Sequence, residues 1–121
     1  MKILKGGTII NRGKSFVADI LIADGRIRQV APTIDRANAT EVNVEGKWII
    51  PGIIDDQVHF REPGLTHKAN IATESRAAVA GGVTTFMEMP NTKPAALTQE
   101  LLEDKYDIAA NSAFCNYSFF M

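Results

Sequence analysis

Pro51-Gly52-Ile53-Ile54-Asp55-Asp56-Gln57-Val58-His59-Phe60-Arg61-Glu62-Pro63-Gly64 is the stretch on which the reading of this chain turns. Pro-Gly pairs punctuate both ends, and a strand between them alternates its faces with a period of two. One face then carries Ile53, Asp55, Gln57, His59 and Arg61; the other carries Ile54, Val58 and Phe60, with Asp56 as its one charge. An apolar second face suits a strand covered by helices. The polar row needs another explanation, because a buried polar group without a partner costs about 1–3 kcal/mol. Hydrogen-bond partners, a metal or a substrate would supply it.

Downstream, the rhythm is strand, helix, strand, helix, strand, the mark of parallel βα units. Ile71, Ala72, Ser75, Ala78 and Val79 share one helical face, which Gly81-Gly82 ends. A strand follows over Val83–Met89, and Pro90-Asn91-Thr92-Lys93-Pro94 makes a loop, since neither proline fits a helix interior or a central strand. Thr98 caps a second helix, with Glu100 in its first turn and Leu101, Leu102, Ile108 and Ala109 facing the core. A third strand begins near Ala113 or Phe114 and runs to Met121 without a stop signal.

Upstream, residues 1–50 hold short β-prone runs: Lys2–Leu4, Thr8–Ile10, Phe16–Ile22, Arg26–Val30, Glu41–Val44 and Trp48–Ile50. Asp24-Gly25 supplies the positive φ angles of a tight hairpin turn. Runs this short do not close a core alone, so residues 1–50 read as part of a small β-sandwich that packs on something else. Residues 51–121 read as the first β/α units of a (β/α)8 barrel. Such a barrel takes about 250 residues, so the chain is expected to be the amino-terminal part of a larger α/β protein.

Composition narrows the function classes. The 121 residues are 45% hydrophobic, and 13 basic against 14 acidic side chains leave a net charge of −1. Without a long single-sign run, nothing points to nucleic acid or an anionic membrane, and a small-molecule substrate is the better expectation. No run approaches the roughly 20 apolar residues of a membrane span, and Met1-Lys2-Ile3-Leu4 opens no signal peptide. A cytoplasmic location is expected, and the lone Cys115 reads as a small core residue. Composition leaves the oligomeric state, a homo-oligomer included, open.

Three residues could carry chemistry. His59 is a metal-ligand candidate because neutral imidazole is the commonest nitrogen donor to zinc, although a single strand histidine is often structural. Arg61 offers a planar fork of donors that matches a carboxylate, and Asn91, at the end of the next strand, offers an amide for the same group. Adjacent parallel strands bring their tips together, near the carboxyl end where barrel enzymes gather their catalytic groups. Singly, each has a plainer reading: a salt bridge with Glu62 for Arg61, a turn residue for Asn91. His67 reads as a solvated surface residue, and Glu88 as either strand support or part of the site.

Taken together, Pro-Gly-x-Ile-Asp with Val-His-x-Arg-Glu-Pro-Gly, then Ala-Gly-Gly-Val-Thr-Thr and Met-Pro-Asn-Thr-x-Pro, resemble the opening of a dihydroorotase of the amidohydrolase superfamily. Hydantoinases and allantoinases share the barrel opening; the Arg-Glu-Pro-Gly and Met-Pro-Asn-Thr pair points to dihydroorotase among them. The resemblance implies a zinc-dependent hydrolase, with one or two Zn2+ ions, that interconverts dihydroorotate and N-carbamoyl-aspartate in pyrimidine biosynthesis. It implies that His59 holds metal and that Arg61 and Asn91, beside His59, bind the substrate carboxylate. Gln57 stands where the family's first metal-binding histidine is expected, a departure that leaves open a catalytically inactive, scaffold-like homologue. The general base and the remaining ligands are expected beyond Met121, so no catalytic residue is assigned within the chain.

Overall fold

In a computed structural model that describes all of Met1–Met121, the chain divides into two compact units, Met1–Pro51 and Gly52–Met121. The first is a five-stranded mixed sheet built on β1 (Lys2–Asn11). β2 (Lys14–Ala23) and β3 (Arg26–Ala31) follow as antiparallel neighbours, and β4 (Thr40–Asn43) and β5 (Trp48–Ile49) return to pair parallel with β1.

The two hairpins are written in residues that tolerate positive φ. Arg12-Gly13 adopts +50° and +72°, and Asp24-Gly25 adopts +53° and +67°, the left-handed pair that matches the twist of the flanking strands. Lys2–Leu4 and Thr8–Ile10, which read as separate runs, belong to the single strand β1. Between them Gly6, at φ +71°, carries a bulge that shifts the register between Leu4 and Gly7. Ile3, Leu21 and Ile34 form one buried cluster, and Ile9, Ala18 and Ile20 another. The residues expected to form part of a small β-sandwich make a single sheet here.

Asp19 locks the loop after β3. Its carboxylate accepts from the Gly6 and Ile34 amides at 2.9 Å each and pairs with Lys5 at 2.7 Å. Those contacts, the Lys5 ammonium foremost, hold its carboxyl down at about 2.

The second unit is a three-stranded parallel sheet in the order β6 (Ile53–Val58), β7 (Val83–Glu88), β8 (Asn116–Phe119). Helix α1 (Ile71–Ala80) joins β6 to β7, and α2 (Gln99–Ser112) joins β7 to β8. Asn70 caps α1: its side chain accepts from the Thr73 amide at 2.8 Å while Thr73 reaches back to the Asn70 amide, a reciprocal box that satisfies two free donors. Thr98 caps α2 as the sequence predicts, accepting from Leu101 N.

Phe60, Ile71, Phe86, Ala109 and Phe119 form the core of this unit. Phe86 lies at its centre, 4.5 Å from the Phe60 ring and 6.1 Å from the Phe119 ring, centroid to centroid, spacings at which aromatic pairs attract. Cys115 packs against this cluster half-buried, and burial pushes its thiol pKa up. Ser75, fully buried on α1, accepts from the Phe114 amide at 3.1 Å and so ties the helix to the approach to β8.

The predicted strand through Arg61 is shorter than the alternation suggested. β6 ends at Val58, its register with β7 slips between Asp55 and Val58, and Arg61 turns to φ +73°. The apolar face is correspondingly uneven: Phe60 is buried and Val58 half-buried, whereas Ile54 is exposed. β8 likewise stops at Phe119, short of the chain's last residue.

Candidate functional site

Parallel pairing of β6 with β7 brings two loops together at the carboxyl ends of the strands. The loop after β6 carries His59 and Arg61; the loop after β7 carries Asn91. The Met89 amide donates to Val58 O at 3.0 Å, and the Lys93 amide to Pro63 O at 3.1 Å. Between these two ties His59 Nδ1 lies 3.0 Å from Asn91 Oδ1. The Asn91 loop is held from within as well: Thr92 N and Ala96 N donate to Pro90 O, and Thr92 Oγ1 donates to Pro94 O at 2.9 Å. Gly64, at φ +81°, packs so closely on this loop that a Cβ there would overlap the Lys93 carbonyl.

Beneath the pair lies a buried charge that the sequence left undecided. Glu88 is 1% exposed at the end of β7, and Oε1 accepts the Arg61 amide at 2.8 Å. Its other oxygen, Oε2, lies 3.0 Å from Nζ of Lys105, which is wholly buried on α2 and also donates to Met89 O at 3.2 Å. Burial pushes the Glu88 carboxyl pKa up, while Lys105 and the Arg61 and Phe60 amides pull it back. Glu88 is therefore a support under the loops. Lys105 was legible as an anomaly: it falls with Leu101, Leu102, Ile108 and Ala109 on the apolar face of α2, where a lysine needs a partner.

The sequence-derived candidates divide between the strand tip and the strand itself. His59 and Asn91 are brought into contact, both exposed. Arg61 stands two residues beyond His59, off the ladder and half-buried, and its guanidinium enters none of the four ion pairs of the chain. The proposed bridge to Glu62 does not form; Glu62 Oε2 instead accepts the Ile71 amide at 2.9 Å at the start of α1. Asp55 and Gln57 lie exposed on β6, linked locally by the Gln57 amide donating to Asp55 Oδ1 at 3.3 Å. His67 is exposed, as read.

A metal would find one strong donor here. An imidazole with one ring nitrogen engaged and the other free is the form in which histidine ligates zinc, and His59 fits it. A zinc site takes three or four ligands, whereas the chain holds no group of three His, Cys, Asp or Glu side chains able to share an ion. His59 therefore suits one corner of a site and does not make one by itself.

The sequence and fold have known counterparts. Residues 46–117 match the dihydro-orotase-like family. The chain belongs to that family. It is 42% identical over 115 residues to a dihydroorotase of Bacillus thuringiensis (strain Al Hakam), a match covering 94% of this chain and 27% of that protein. A dihydroorotase of Bacillus cytotoxicus is 44% identical over 103 residues, 84% of this chain and 24% of its own. The chain thus spans about a quarter of the length of the curated relatives it matches. Among solved structures, the L-hydantoinase (dihydropyrimidinase) from Arthrobacter aurescens superposes with a TM-score of 0.92 at 26% identity, over 97% of this chain and 26% of that one. A D-hydantoinase does so with a TM-score of 0.85 at 29% identity, over 98% and 26%.

Proposed function

We propose that this chain is the portion of a dihydroorotase that binds the substrate carboxylate and supplies one metal ligand, in a zinc-dependent hydrolase that reversibly opens dihydroorotate to N-carbamoyl-aspartate in pyrimidine biosynthesis. The observation that carries the reading is the meeting of His59 and Asn91 at 3.0 Å, with Arg61 two residues on, at adjacent strand tips of a chain from the dihydro-orotase-like family. In this reading β6, β7 and β8 open a (β/α)8 barrel, and the five-stranded sheet is one layer of a β-sandwich. The protein would work in the cytoplasm on a small molecule, as a monomer or homo-oligomer.

His59 would give Nε2 to the metal, with Gln57 a weaker neighbour in place of a second imidazole. Bound zinc, one ion or two, would activate water and polarise the ring carbonyl. Arg61 would grip the substrate carboxylate with two parallel N–H bonds, and Asn91 would donate to the same carboxylate from Nδ2. Two fixed contacts on one carboxylate set the ring's orientation, which converts proximity into rate.

Gln57 favours a second reading, a catalytically inactive dihydroorotase-like scaffold subunit, because an amide oxygen is a poorer zinc donor than imidazole. Zinc-loaded full-length protein assayed with dihydroorotate separates the two. Turnover supports the enzyme. Its absence with zinc bound sinks the dihydroorotase reading, and turnover of a hydantoin or allantoin alone moves the substrate to that of a hydantoinase or allantoinase.

A further inference from the structure

Nδ1 of His59 and Oδ1 of Asn91 lie 3.0 Å apart, and the chemistry of those two atoms restricts what the contact can be. An amide oxygen only accepts, so the proton of the bond belongs to the imidazole. That places it on Nδ1 and leaves the Nε2 lone pair bare. Free histidine favours the opposite tautomer, with its proton on Nε2.

We infer that Asn91 is a positioning residue for His59 as well as a contact for the substrate carboxylate, one amide serving both neighbours with its two ends. Oδ1 holds the imidazole in the tautomer that can ligate a metal; the same bond leaves Nδ2, which has no partner within the chain, free to donate to a substrate carboxylate. The assignment to substrate rests on the dihydroorotase reading. The tautomer does not.

The backbone supports the arrangement from both sides. The Met89–Val58 and Lys93–Pro63 hydrogen bonds bracket the pair, and Thr92, 5% exposed, anchors the Asn91 loop through Pro90 and Pro94. The pair is thus held between hydrogen-bonded loops at two strand tips.

The chain has two histidines, and the second, exposed His67, makes no side-chain hydrogen bond and serves as an internal control. Long-range 1H–15N correlation spectra of the 15N-histidine-labelled protein at about pH 8.5, where imidazole is neutral, report which nitrogen of each ring is protonated. The expected result is Nδ1–H for His59 and Nε2–H for His67. Asn91→Leu removes the acceptor and should move the His59 proton to Nε2. Asn91→Asp keeps an acceptor and should hold it on Nδ1. A His59 ring protonated on Nε2 in the unaltered protein, or unmoved by Asn91→Leu, overturns the inference without any variant having to be active.

In full-length protein the two substitutions should part company. Asn91→Leu should weaken zinc binding about 10–100-fold, the usual effect of losing a partner behind a ligand. Asn91→Asp should keep the zinc and raise KM for dihydroorotate, because Nδ2 is gone and a like charge faces the substrate. Equal zinc affinity in both variants overturns the link from Asn91 to the metal. If the tautomer pattern holds while no cyclic amide is turned over, the functional reading fails and the His59–Asn91 assignment stands.

Discussion

The Glu88 carboxylate accepts the Arg61 amide at 2.8 Å, so the end of β7 grips the backbone where the chain leaves β6 at φ +73°. A positive φ on a residue other than glycine is held by its surroundings. Here the holder is a buried carboxylate whose countercharge, Lys105, comes from α2.

Removing that countercharge should be costly. Lys105→Met leaves Glu88 in the core without its ion pair, and breaking a buried pair costs about 3–5 kcal/mol. Adding Glu88→Gln should recover most of the loss, since the amide oxygen still accepts from Arg61 and no charge remains. Urea unfolding of both singles and the double measures the coupling. Additive losses would mean the two side chains do not act as a pair.

Acid should loosen the first unit through Asp19. Its folded pKa of about 2 lies below the ordinary 3.8, so the folded state binds fewer protons in that interval. The stability it confers is present above 3.8 and lost as pH falls through about 2. In Asp19→Asn this component disappears, and the difference between the two proteins' urea midpoints should shrink across that window. A constant difference would assign the acid response to other groups.

Two glycines with similar backbones should respond differently to alanine. Gly64 and Gly82 have φ of +81° and +89°, but only at Gly64 would the new Cβ meet the Lys93 carbonyl; at Gly82 the space is open. Gly82→Ala should cost about 1–2 kcal/mol for the left-handed conformation alone. Gly64→Ala should cost more and should also disturb the His59–Asn91 contact, visible in the histidine spectra. Equal losses in thermal unfolding would show that the two loops can part.

If the proposed dihydroorotase function holds, Arg61→Ala in the full-length protein should raise KM for dihydroorotate roughly 10–100-fold, the worth of a charge-assisted bond of about 1.5–3 kcal/mol, with little change in Tm because the guanidinium bridges nothing within the chain. Arg61→Lys should rescue only part, since a point charge does not reproduce the two-pronged grip. An unchanged KM in both would take Arg61 out of the site.

Gln57→His tests the departure from the family motif. If position 57 faces the metal, a second imidazole two residues from His59 should raise zinc per subunit or tighten the weakest-held ion by about tenfold, some 1.4 kcal/mol. Elemental analysis is the readout, because added metal can misplace the nucleophile and lower activity. Identical zinc content and affinity would turn Gln57 away from the metal.

What could be read in the residues was whatever is written locally. The Asp24-Gly25 turn, the Thr98 cap, the helix stop at Gly81-Gly82 and the Ile71–Ser75 part of the α1 face are each set within a few residues, whereas Val79, read onto the same face, is exposed. Alternation misled at two of the register shifts. Gly6 splices two apparent strands into β1, and β6 slips between Asp55 and Val58 and ends before His59; a one-residue irregularity reverses the faces beyond it. For the site, the meeting of His59 and Asn91 followed from parallel strands ending side by side. Glu88 and Lys105 did not, since their partnership joins residues 17 positions apart through the packing of α2 on the sheet.

The sheet order also sets a timetable. β1, β2 and β3 are joined by two-residue turns, and hairpins of that kind close in roughly 1–10 μs. β4 and β5 must come back to β1 from more than thirty residues away, and β6, β7 and β8 meet only across helices, so their pairing waits on larger loop-closure entropies. During synthesis the β1–β3 meander can therefore form before β6 has left the ribosome. His59 and Asn91, 32 residues apart, would be among the later partners to meet.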